Sequence, residues 1–222
     1  TRKTRNDCFN DKPCHARTRK TGANMSGTFP SSPAFQSLNI QSIQPTFISR
    51  TISGRRQARQ IGGQLWKMTA TFPPMTRAQF APIYAFIVAQ RGRYESFSLI
   101  PPVVGNPQGS AGGTPLVNGA SQTGRSLVTD GWTNSTLIFK AGDYLKLAGN
   151  DKVYMITADV TSSGTGTATL TIEPALIDSP ADNEVITYES IPFTVALTSG
   201  VQEFATGATG VYEFEIELEE VL

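Results

Sequence analysis

Apolar and polar residues alternate with a period of two in several short segments of this 222-residue chain. In residues 61–72, Trp66, Met68 and Phe72 share one face, while lysine and threonine side chains share the other. The alternation is strict over residues 212–218, where aromatic and aliphatic residues alternate with glutamates. A period of two is typical of strands that bury one face, so the pattern predicts a mainly β protein.

Residues 76–91 are the one segment with a convincing helical period. Thr76 suits the N-cap position, and Gly92 follows the segment as a natural stop. The spacing of its apolar residues forms one stripe, made of Phe80, Ile83, Tyr84 and Ile87. We therefore expect a single helix packed on the flank of the β structure.

The middle of the chain is divided by turn residues. Residues 103–127 are rich in glycine, proline, serine and asparagine, which predicts a boundary loop. Beyond it, turns recur at intervals of about ten residues, including one expected at Asp130-Gly131-Trp132, as in a small antiparallel barrel. Later strands are predicted over residues 184–188, 193–197, 201–204 and 212–218.

These elements predict two structural units after residue 24. Residues 25–100 plus 191–222 form a split β-sandwich that carries the helix at about 76–91. Its first part, 25–45, is an extended arm with an edge strand. Residues 101–190 form a small antiparallel β-barrel inserted between the two halves, an arrangement that is tolerated where chain ends lie close on a surface.

Residues 1–24 differ from the rest in charge. They carry seven basic and two acidic residues and have no apolar periodicity. Three interpretations remain open: a basic arm for nucleic acid, a metal site at Cys8, Cys14 and His15, or a disordered basic leader preceding a natural start at Met25. The metal set lacks a fourth ligand, so the disordered leader is the prediction.

From Met25 to Leu222 the chain contains neither histidine nor cysteine. This excludes histidine- or cysteine-dependent catalysis and metal sites built on these ligands in that part of the chain. Its longest uncharged apolar run, residues 80–88, is too short for a membrane helix. A carboxylate pair for glycoside hydrolysis stays open among Asp130, Asp143, Asp151, Asp159, Glu173, Asp178 and Asp182. We expect no enzyme activity and no cofactor.

Three stretches carry a resemblance to a known family. They are Gln60-Ile-Gly-Gly-Gln-Leu-Trp66, then Phe72-Pro-Pro-Met-Thr-Arg-Ala-Gln-Phe80, then Ala89-Gln-Arg-Gly-Arg-Tyr-Glu-Ser-Phe97. The chain resembles minor tail proteins of long-tailed bacteriophages, of the distal-tail (tail-tip adaptor) type. The segment from Lys140 to Ala175 is similar to β-barrel modules of phage tail and capsid proteins.

The resemblance implies a tail-tube-like β-sandwich that assembles into a homo-oligomeric ring. Such a protein would link the tail tube to the host-adsorption apparatus, contact other phage tail proteins and let DNA pass transiently. Its place would be the virion tail, with assembly in the host cytoplasm.

Two charged clusters are consistent with a role in a ring, and a simpler explanation for each cluster also stays open. Arg50, Arg55, Arg56 and Arg59 are candidate subunit contacts or a flexible basic loop. Glu213, Glu215, Glu217 and Glu219 form an acidic strand face that either is solvated or lines a ring lumen, where it would repel DNA phosphates.

Two other functions compete with the ring. A carbohydrate-binding module would use aromatic rings that stack on host-surface sugars, with Trp132, Tyr144 and Tyr154 as candidates, although core packing also explains these rings. A tail-associated glycosidase would use two of the carboxylates named above.

Overall fold

Strands dominate the computed structural model, which describes residues 25–207 and 210–222. One sheet, here called the split sheet, takes strands from both ends of the described chain in the order β1-β6-β15-β18-β5-β2. The first elements are β1 (Met25–Thr28), β2 (Ser37–Ile43), β3 (Thr46–Arg50), β4 (Arg56–Gln60), β5 (Leu65–Thr71), α1 (Arg77–Ala89) and β6 (Ser96–Leu99). The last are β15 (Phe193–Leu197), β16 (Ala205–Thr206), β17 (Tyr212–Glu213) and β18 (Glu215–Glu220).

A second six-stranded sheet, the middle sheet, has the order β14-β10-β11-β13-β8-β7. Its segment contains β7 (Gly113–Val117), β8 (Ser126–Trp132), β9 (Leu137–Phe139), β10 (Tyr144–Leu147), β11 (Val153–Ile156), β12 (Val160–Thr161), β13 (Ala168–Glu173) and β14 (Ile186–Thr187). A bridge between Leu116 and Val185 connects the two edges, so the sheet is nearly closed into a barrel. The expected class, mainly β with one helix and a small barrel, is confirmed within the described residues.

Helix α1 packs on the split sheet through the predicted stripe. Phe80, Ile83 and Ile87 are buried in the core of that sheet, while Tyr84 is only partly buried against it. The N-cap is Thr76, whose backbone N–H donates to the side-chain oxygen of Gln79 at 3.1 Å. The predicted limits of the helix, 76–91, therefore differ from the observed ones only by the terminal residues.

The chain enters and leaves the middle segment at one place. The backbone N–H of Ile191 donates to the carbonyl oxygen of Gly105 at 3.1 Å, and the N–H of Ser190 donates to the side chain of Asn106 at 3.0 Å. The two ends of the segment are thus direct neighbours, as an insertion between halves of another unit requires. The division into independently folding domains stays a prediction.

The two sheets are joined by a buried ion pair. Lys152, immediately before β11, contacts Glu220 of β18, and their side chains are 1% and 0% exposed. Glu220 also accepts the backbone N–H groups of Trp66 at 3.1 Å and Val153 at 3.0 Å. The Lys152 ammonium donates in addition to the carbonyl oxygen of Gln64 at 2.7 Å. Both charged groups of this joint are therefore hydrogen-bonded, as burial of charge requires.

Burial disfavours both charged forms at the joint. It lowers the pKa of Lys152 and raises the pKa of Glu220, and the attraction between the two groups opposes both shifts. The indole N–H of Trp66 donates to the carbonyl oxygen of Val153 at 2.8 Å, and its ring lies edge-on to Tyr144. Polar and aromatic contacts together thus hold the middle segment against the split sheet.

Three local predictions are wrong. Asp130-Gly131-Trp132 is not a turn but the end of β8, where Gly131 (φ +76°) lies at an irregularity in the pairing with β7. The predicted boundary loop contains strand β7. The segment 201–204 is not a strand; the Val201 N–H donates to the nearby Ser199 hydroxyl instead of to another strand. The predicted leader, residues 1–24, lies outside the described residues.

Candidate functional site

The four candidate arginines lie in an exposed β-hairpin, formed by β3 and β4. The strands pair antiparallel from Thr46 opposite Gln60 to Arg50 opposite Arg56. All ten strand residues are exposed to solvent. A two-stranded hairpin with no covered face is marginally stable by itself in water, so this one is suited to contact another surface.

The tip of the hairpin is a tight turn between Thr51 and Arg55. The N–H of Gly54, which has a φ of +78°, donates to the carbonyl oxygen of Thr51 at 2.9 Å. The Thr51 hydroxyl accepts the N–H of Arg55 at 3.2 Å. These bonds fix the turn and leave Ile52 fully exposed at its outermost point.

The arginines occupy both faces of the hairpin. Arg50 and Arg56 are directly opposite each other, whereas Arg59 is opposite Phe47 on the other face. Like charges in directly opposed positions destabilise a strand pair. Within the described residues, no carboxylate lies within 4.0 Å of any of these arginines. The hairpin therefore presents unpaired positive charge together with apolar side chains, namely Phe47, Ile48, Ile52 and Ile61.

The acidic strand face has the predicted alternation. Glu213, Glu215 and Glu217 are exposed and Glu219 is half-buried, while Phe214, Ile216 and Leu218 point into the core. One carboxylate of this face is paired: Glu217 lies 3.0 Å from Lys67, and this contact lowers the pKa of Glu217. Glu220 continues the alternation of burial but not of residue type, because it is a carboxylate on the buried face and pairs with Lys152.

The three candidate sugar-stacking rings do not share a surface. Trp132 is 3% exposed and packs against Phe139 and Tyr188. Tyr154 is fully buried, and Tyr144 is half-buried between Trp66 and Phe193 at the joint. An enclosed ring has no open face for a sugar, so this geometry does not favour the carbohydrate-binding alternative.

Three of the carboxylates considered for hydrolysis, Asp143, Asp159 and Glu173, are engaged in turns or an ion pair. Asp143 is buried and accepts the N–H groups of Gln108 at 3.0 Å and Lys140 at 2.8 Å. Asp159 accepts an N–H at 2.9 Å, and Glu173 pairs with Arg125. These contacts give Asp143, Asp159 and Glu173 a structural role within the fold.

Asp151 belongs to the contacts between the two sheets. Burial alone would raise its pKa, but hydrogen bonds from Lys146 and from the hydroxyl of Thr194 outweigh this and lower the pKa. Because Thr194 lies in β15 and Lys146 in β10, the Asp151 carboxylate is a second polar link near the joint.

A surface groove of about 760 Å³ was not predicted from the sequence. It lies at the end of the split sheet where Ser37 pairs with Thr71 and Thr71 with Glu215. Aromatic and acidic side chains line it, among them Phe72, Phe204, Phe214, Glu203, Glu213 and Glu215. The alternating strand predicts Glu213 and Glu215 on one face, but the segment 201–205 reaches them only through tertiary packing.

In the parts of the chain that the structure describes, no cluster of three or more metal-ligating side chains occurs. Cys8, Cys14 and His15 lie outside the described residues. Over the described ranges, 25–207 and 210–222, no helix combines the length and the apolar character that crossing a membrane requires.

Comparison with known proteins concerns the middle segment. No curated protein matches the chain. A family model, described as distal tail protein pb9, B domain, matches residues 105–191. The matched range begins and ends at the two residues joined by the Gly105–Ile191 hydrogen bond. This match supports a structural role in the phage tail. Over residues 105–191 the chain is thus similar to the B domain of distal tail protein pb9, which supports a phage distal tail protein, as the sequence resemblance indicated.

Proposed function

We propose that the chain assembles with copies of itself into a ring at the distal end of a phage tail. The ring would link the tail tube to the host-adsorption apparatus and contact other tail proteins on its two sides. Its role would be structural and non-catalytic, with assembly in the host cytoplasm before incorporation into the virion.

The observation that carries the proposal is the exposed hairpin. The hairpin carries four arginines without carboxylate partners among the described residues, and Ile52 is fully exposed at its tip. An apolar anchor rimmed by arginine is typical of protein interfaces, where the anchor supplies affinity and the charges fix orientation. A lone hairpin also gains stability when a neighbour covers it.

The acidic face of β18 suits the inner wall of such a ring. Glu215 and Glu217 are exposed side by side on one face of the split sheet. Negative charge on a channel wall repels phosphates and prevents DNA from adhering during passage. The Lys67 ion pair reduces this charge only at Glu217.

Reversal of two hairpin charges tests the proposal. Arg55→Glu combined with Arg56→Glu should weaken self-association, because like charges would then face the acidic neighbour. Exposed charges contribute little to the stability of a monomer, so the variant should keep its circular dichroism spectrum and melting temperature. Light scattering over a concentration series measures the association.

The matched control reverses two exposed arginines outside the hairpin, Arg77 and Arg93. This control changes the net charge by the same amount, and we expect it to associate like the wild type. Equal weakening in both variants would assign the effect to net charge and would contradict the hairpin contact.

A further inference from the structure

The hairpin and the groove lie at opposite ends of the same strand pair. β2 and β5 pair from Ser37–Thr71 at one end to Ile43–Leu65 at the other. The groove is at the Thr71 end, and the hairpin leaves the sheet at the Ile43 end. Seven paired residues separate the two ends by roughly 20 Å. Since all ten hairpin strand residues are exposed, the hairpin does not lie back over the sheet toward its own groove.

The two surfaces are complementary in charge. The hairpin carries Arg50, Arg55, Arg56 and Arg59, and the groove carries Glu203, Glu213 and Glu215. Within the described residues, none of these three carboxylates has a lysine or arginine within 4.0 Å. The fold thus holds unpaired positive charge at one end and unpaired negative charge at the other, a pattern that steers association between copies.

The two surfaces are also complementary in apolar character. Ile52 projects from the hairpin tip, and Phe204 is exposed at the groove beside the buried rings of Phe72 and Phe214. Phe204 packs against Phe80 and Tyr84 behind it, so the groove offers a supported apolar wall. Ile52 would be buried against this wall, with the arginines reaching Glu203 and Glu213.

From these observations we infer that the β3–β4 hairpin of one copy docks, with Ile52 first, into the groove lined by Phe204, Glu203 and Glu213 of a second copy. This inference rests on the proposed self-assembly and names its contact surfaces. Because the two surfaces differ, the contact is head-to-tail, and repetition of it closes into a ring or extends as a filament.

Cysteine pairing between different copies tests the contact directly. In a Cys8→Ser, Cys14→Ser background, a Ser53→Cys chain is mixed with a differently tagged Ala205→Cys chain and mildly oxidised. Ser53 is at the hairpin tip and Ala205 is an exposed residue of the groove. We expect a disulfide-linked pair in the mixture and little linkage in either variant alone. The control partner, Ser179→Cys, lies on an exposed loop of the middle segment and should not link to the Ser53→Cys chain.

Charge exchange separates this inference from the proposed function. Glu203→Arg with Glu213→Arg should weaken self-association by about tenfold or more, and combining it with Arg55→Glu and Arg56→Glu should restore much of the loss. If the hairpin change weakened assembly, the groove change did not, and the Ser53→Cys and Ala205→Cys chains did not link, the docking site would be overturned. The ring proposal would then stand without it. A wild-type chain that never associates would overturn both.

Discussion

Replacing Lys152 with methionine is expected to lower the free energy of unfolding by about 3–5 kcal/mol. The substitution leaves the Glu220 carboxylate buried without its counter-charge, and the N–H groups of Trp66 and Val153 are too few to replace the ammonium. Urea denaturation followed by tryptophan fluorescence measures the change. The ring of Trp66 lies 5.9 Å from the Lys152 nitrogen, so its emission in a Trp132→Phe background reports on the joint itself.

Two variants make this experiment specific to the buried pair. Lys67→Met removes the cation from the exposed pair with Glu217, which should cost no more than about 1 kcal/mol. Lys152→Met combined with Glu220→Leu removes both charges and should recover much of the loss, because no unpaired charge stays buried. If Lys152→Met were no more costly than Lys67→Met, the joint would not be a dry ion pair.

The isolated segment 105–191 is expected to fold by itself with a single cooperative transition. Its core cluster draws all of its buried residues from the range 117–186, so no position of that cluster is lost on excision. The segment ends are held by the Gly105–Ile191 hydrogen bond, and no long loop has to be closed. Thermal denaturation followed by circular dichroism measures this. An isolated segment without a cooperative transition would contradict the domain division.

The same segment provides a second test of the joint. In the isolated segment Lys152 faces water instead of Glu220, so Lys152→Met should change the stability by less than about 0.5 kcal/mol. The remainder, with 106–190 replaced by a short Gly/Ser linker, should fold but be less stable than the full chain, because Val153 is part of its core. A large effect of Lys152→Met in the isolated segment would place its main partner within the segment.

Much of the fold follows from local periodicity. Strand β5 and strand β18 are recognisable because each buries every second residue, and the register places Met68 of β5 opposite Leu218 of β18. Helix α1 is recognisable because its apolar stripe and its N-cap residue, Thr76, indicate the same segment as helical. Such elements are encoded within about ten or fifteen residues, and a single sequence contains that information.

The remaining features depend on residues distant in sequence. Lys152 and Glu220 are 68 positions apart. The alternation of β18 extends to Glu220 and places it on the inward face, but nothing near either residue identifies the other as its partner. The groove combines Phe204 with Phe72, which come from the two separate chain segments that contribute strands to the split sheet. Asp130-Gly131 has the composition of a turn, yet it continues β8 because pairing with β7 and β13 outweighs local preference.

The mass of the purified chain in solution tests the central claim most directly. Sedimentation velocity over a range of concentrations distinguishes the 23.9 kDa monomer from a closed assembly. Self-assembly into a ring predicts one discrete multiple of that mass, whose share rises with concentration at the expense of the monomer. A 23.9 kDa species alone at every concentration would contradict self-assembly, and an unbounded series of multiples would contradict closure into a ring.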